Sequence, residues 1–141
     1  MQLLINNIKV IGIFTAISLL SVLFLSYSYS IIEGIKNTFA TYFVISIITI
    51  LMLASYFVFS RVFIKSTGVL LYDCLSLFAI VMIIVIGSMV FPKQVEFFYY
   101  PHFFMIIVFK NYTIGRIVAI VASLIATVLG IITKSGITRI M

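Results

Sequence analysis

The sequence predicts an all-α integral membrane protein. It is read as a bundle of four transmembrane helices plus a short interfacial or re-entrant apolar segment, with five spans as the alternative. Three observations carry this. Of 141 residues, 65 % are hydrophobic and only 9 % are charged, with a mean hydropathy of +1.38. A soluble domain carries about 25 % charged residues, because it must cover its surface with polar groups. The apolar residues also fall into four runs near spanning length, and the connectors between them are too short for a soluble domain. Residues 1–141 are therefore expected to form a single transmembrane domain.

A spanning helix needs about 20 apolar residues for a hydrocarbon core of about 30 Å. Residues 10–30, VIGIFTAISLLSVLFLSYSYS, meet that. Only Lys9 stands close before them and the run is long for a signal peptide, so a retained first span is expected. Residues 39–60 follow with no charge, and residues 69–91 with Asp73 near their start. Residues 112–133 complete the set if Arg116 extends its guanidinium to the interface. No Gly/Pro interruption recurs in matching halves, as an inverted-repeat transporter would require.

Residues 97–110, FFYYPHFFMIIVFK, are harder to place. Their uncharged part would be about 20 Å long as a helix, short of the full core. An interfacial course is expected, with Tyr99, Tyr100 and His102 at headgroup level.

The net charge is +6. The nine basic residues are scattered between the apolar runs, not clustered on a face, so nucleic acid is not an expected partner. Their distribution favours a cytoplasmic N-terminus, with Lys9, Arg61 and Lys65 inside. Isoleucine is about twice as common as leucine, a composition associated with AT-rich bacterial genomes. The expected location is a bacterial inner, or cytoplasmic, cell membrane.

Few residues could carry chemistry. Asp73 lies inside the third span, where an ionisable group is costly. It reads as a salt-bridge partner of Arg61, Lys65 or Lys9, or else as an ion or ligand site. Glu33, Glu96 and His102 share the opposite end but lack the spacing of a metal site, so no metal or cofactor is expected. Cys74 reads as a buried, inert thiol, far from the sole histidine. On the last span Ala119, Ala122, Ala126 and Gly130 are small residues on a helix-packing face, and Gly12 with Ala16 repeat the spacing on the first. Leu124 is expected to face lipid.

No phosphate loop, nucleophile elbow or zinc-protease motif occurs, so no enzymatic activity is expected. The leading expectation is a small non-catalytic multi-pass protein that binds another membrane component, as an accessory subunit, regulator or immunity-type protein. Its partners would be the lipid bilayer and another membrane protein or a second copy. The alternative is a small transporter or channel, oligomeric if need be, with Asp73 on the path.

Overall fold

The computed structural model describes residues 1–33, 38–96, 98 and 111–135. The described residues are 90 % helical, and among them four segments are long and apolar enough to cross a membrane: Gln2–Phe24, Phe39–Phe63, Leu70–Val90 and Thr113–Thr133. The helices are α1 (Gln2–Glu33), α2 (Thr38–Phe63), α3 (Leu70–Leu75), α4 (Phe78–Val90), α5 (Pro92–Val95) and α6 (Tyr112–Ser135).

The helix directions follow from who meets whom. Lys9 on α1 reaches the Phe63 carbonyl at 2.9 Å, and Phe14 stacks on Tyr56 with ring centroids 4.7 Å apart, so α1 and α2 are antiparallel. Gly130 of α6 lies against Ser60 and Phe57 of α2, while Ser123 lies beside Tyr56. Moving toward the N-terminus on one helix moves toward the N-terminus on the other, so α2 and α6 are parallel. Four crossings require this and five forbid it. The end where α5 stops is also the end where α6 begins, at its Asn111 cap. The interfacial course expected of residues 97–110 lies outside the described residues, Phe98 apart. Below, the end that carries Met1 is the near end and the other the far end.

Lipid tails are as apolar as leucine, so close packing, not water exclusion, joins helices inside a bilayer. The core is formed by Val10, Phe14, Ile17, Met52, Tyr56, Ile80, Ile84 and Ile131. The closest approach is α2 against α6. The buried row of α6 runs through Gly115, Ala119, Ser123 and Thr127 to Gly130, small residues at every fourth position until the last step. Ala122 and Ala126 flank that row, half-buried. The opposite stripe of Ile117, Val121, Ile125 and Leu129 is exposed. Leu124 does not join it, contrary to expectation. It is half-buried in the cleft between α6 and the third span, beside Leu71, Leu77 and Val81.

Two boundaries differ from the reading of hydropathy. Helix α1 starts at Gln2, well before Val10. In its first turns Asn6 is buried while Leu4, Ile5 and Ile8 are exposed, so the polar residues there face protein. The third span is two helices, although it holds no proline and no glycine at the break. At Ser76–Leu77 the Leu77 amide bonds to the Cys74 carbonyl at 3.1 Å, an i−3 step, and the Ser76 hydroxyl takes the Asp73 carbonyl at 2.5 Å. A side chain inserted into the backbone ladder is a recognised cause of helix kinks.

At the far end the chain reverses at Phe91 into α5, and Val95 is buried against α4. A Cβ added to Gly87 would stand 2.5 Å from a Val95 methyl. Gly87→Ala is expected to cost on the order of 1 kcal/mol through this overlap. Val95→Ala in the same chain should recover most of the loss in thermal unfolding. No recovery would mean that the corner does not pack this way.

Candidate functional site

The main polar cluster among the described residues sits at the near end, where α1, the end of α2, the 64–69 loop and α3 meet. A helix leaves its last four carbonyls without partners. Here α1 serves the carbonyls at and just beyond the end of α2. Asn6 donates to the Lys65 carbonyl at 2.9 Å and accepts from Gln2 at 2.9 Å, and Lys9 donates to the Phe63 carbonyl. A cation at a helix C-terminus also meets the favourable end of the helix dipole. Asn7, its amide nitrogen assigned by the acceptors around it, donates to the Ser76 carbonyl at 2.5 Å and faces that of Leu75 at 3.3 Å. Those two carbonyls lie ahead of the first turn of α4.

Asp73 is 1 % exposed. One carboxylate oxygen accepts from the Ser66 hydroxyl at 2.6 Å; the other accepts from the Thr67 amide and hydroxyl, each at 2.9 Å. The loop is shaped to allow this. Gly68 has φ 81°, a left-handed conformation open to glycine at little cost, and its amide bonds the Ser66 hydroxyl at 3.1 Å. The carboxylate thus folds the Ser66–Gly68 turn back over the start of α3, where a negative charge also suits the helix dipole.

Arg61 and Lys65 are exposed at this end. Among the described contacts the partners of Asp73 are Ser66 and Thr67, not these two cations or Lys9. Charge alone pointed to the cations. The hydroxyl pair Ser66-Thr67 ahead of a glycine, six and seven residues before Asp73, was the signal for a turn capped by a carboxylate.

Cys74 corrects a further expectation: it is exposed, one residue on from the buried carboxylate. His102 and the Glu33 side chain lie outside the described residues. Among the described residues no three His, Cys, Asp or Glu side chains come together.

Many hydroxyls in the spans turn back onto their own helices. Thr15, Thr49, Ser55, Ser123 and Thr127 each donate to the carbonyl four residues earlier. Mid-bundle, the Tyr56 hydroxyl sits between Ser18 and Ser123. The five back-bonded hydroxyls are satisfied by their own helices, the usual fate of serine and threonine in apolar helices.

Fold and site together define a class: a multi-pass helical membrane protein of four spans. Set against known protein families, curated proteins and solved structures, the chain matches none.

Proposed function

We propose that this protein acts without catalysis, by binding another component of the membrane, as an accessory subunit, regulator or immunity-type protein. The observation that supports this reading is the closure of Asp73, with both carboxylate oxygens engaged by the adjoining loop. A carboxylate that carried ions would have to release those bonds at each passage. Among the described residues, the outward faces of the helices are what remain for function. Purification of a tagged chain in mild detergent should recover a stoichiometric membrane partner. A homogeneous homo-oligomer with nothing else bound would refute this.

One observation favours the alternative, a small transporter or channel. The third span is broken at Ser76–Leu77, and irregular backbone at membrane depth is a feature of transport sites. Here Asn7 and the Ser76 hydroxyl already occupy the freed carbonyls.

The proposed location is a bacterial cytoplasmic membrane with the near end inside. The exposed Lys9, Arg61 and Lys65 at that end support it, since short cytoplasmic loops are enriched in lysine and arginine. In a Cys74→Ser background, Asn111→Cys should react with an impermeant maleimide on intact cells, and Lys65→Cys only after lysis. The reverse pattern would invert the protein in the membrane.

A further inference from the structure

An open groove of about 410 Å³ lies between α1 and α2 at the near end. Lys9, Gly12, Ile13 and Ala16 line one side, Phe59 and Phe63 the other. Its α1 side is low because Gly12 has no side chain, and a Cβ there would meet nothing within 4 Å. Its α2 wall is two aromatic rings 6.2 Å apart. Lys9 stands at its mouth, held at the level where α2 ends by the bond to the Phe63 carbonyl. That bond uses one of the three donors an ammonium offers. From Lys9 to Ala16 the groove runs into the bilayer for about 10 Å at the rise of an α-helix.

The charge at this end is one-sided. The chain has three acidic residues. Glu33 and Glu96 belong to the far end, where α1 and α5 finish, and Asp73 is buried within its loop. Lys9, Arg61 and Lys65 are exposed. We infer that the groove holds one anionic phospholipid, its phosphate against Lys9 and an acyl chain over Gly12 and Ala16. The lipid carries its anion at headgroup level and its apolar part directly beneath, the order in which the groove presents a cation and then an apolar furrow. A second copy fits poorly. Two copies share one orientation in a membrane, so a two-fold axis through this face would bring Lys9 against its own counterpart. The inference is independent of any protein partner, because lipid is present in either case.

The test uses the purified, delipidated chain with an equimolar mixture of phosphatidylglycerol and phosphatidylcholine of identical acyl chains, read by native mass spectrometry. Retention of one phosphatidylglycerol is expected, with a preference of about fivefold, the factor that about 1 kcal/mol per lysine near an anionic lipid gives. Lys9→Gln should bring the preference to about one. Ala16→Phe fills the furrow without touching the Lys9 bond and should remove the retained lipid, with thermal unfolding unchanged. Equal retention of the two lipids by the native chain would overturn the inference. So would undiminished phosphatidylglycerol on Ala16→Phe, or a dimer that this substitution abolishes. No other protein is present, so failure to find a protein partner leaves the result untouched.

Discussion

Gly130→Ala is expected to be among the most damaging single-methyl additions in the chain. The new Cβ would overlap the Ser60 hydroxyl oxygen and the Phe57 carbonyl oxygen, and would stand 3.2 Å from the Arg61 amide. A serine side chain can turn aside, but the backbone of α2 cannot without moving the helix. Overpacking a tight core costs about 1–3 kcal/mol, and a backbone clash belongs at the upper end, on the order of 3 kcal/mol. Ile125→Ala, on the exposed stripe of the same helix, should cost little, since the lost contacts are with lipid. Unfolding by denaturing detergent in mixed micelles would measure both. Ser60→Gly should recover only part of the loss, because the Phe57 carbonyl stays in place. Equal effects at positions 130 and 125 would mean that α2 and α6 do not approach here.

Asp73→Ala is the second large effect. It removes the acceptor for three hydrogen bonds and leaves the Thr67 amide in a half-buried loop without a partner. Bonds to a charged group are worth about 1.5–3 kcal/mol each and do not add fully, so a loss of about 3 kcal/mol is expected. Asp73→Asn should be much milder, about 1 kcal/mol, the size of one ordinary bond. Its carbonyl can still accept from Thr67, and its amide can donate to the Ser66 hydroxyl. If Asn destabilises as much as Ala, the carboxylate is answering to a charge and not to the loop. If Asn folds normally but abolishes function in the cell, the transport reading gains what the binding reading loses.

The four spans were legible because length and apolarity are local properties, and a bilayer imposes them on each helix separately. The early start of α1 was not. Gln2, Asn6 and Asn7 look like the polar flank of a span, and only the presence of α2 and α3 turns them into caps. Asp73 was legible as an anomaly. Its partners were not, since the positive-inside pattern directs attention to lysine and arginine, whereas a nearby hydroxyl turn answered it. Small residues announced that α6 packs closely. Which of the neighbouring rows meets α2 depends on helix rotation, and that is set by the whole bundle. Leu124 was misplaced for the same reason.

The corner at Ser76–Leu77 implies an order of events in assembly. Residues 70–90 are apolar enough to enter a bilayer as one rod, and within them only the Ser76 hydroxyl, bonded to the Asp73 carbonyl, favours a bend. Helices insert first and associate afterwards. Ser76 supplies one donor at the bend and Asn7, on the first span, the other, so the bend is completed when the first and third spans meet. Exchange of the Leu77 and Phe78 amides with solvent then reports on that meeting. In an Asn7→Leu chain the bend should relax, and both amides should become slower to exchange while the rest of the protein becomes faster.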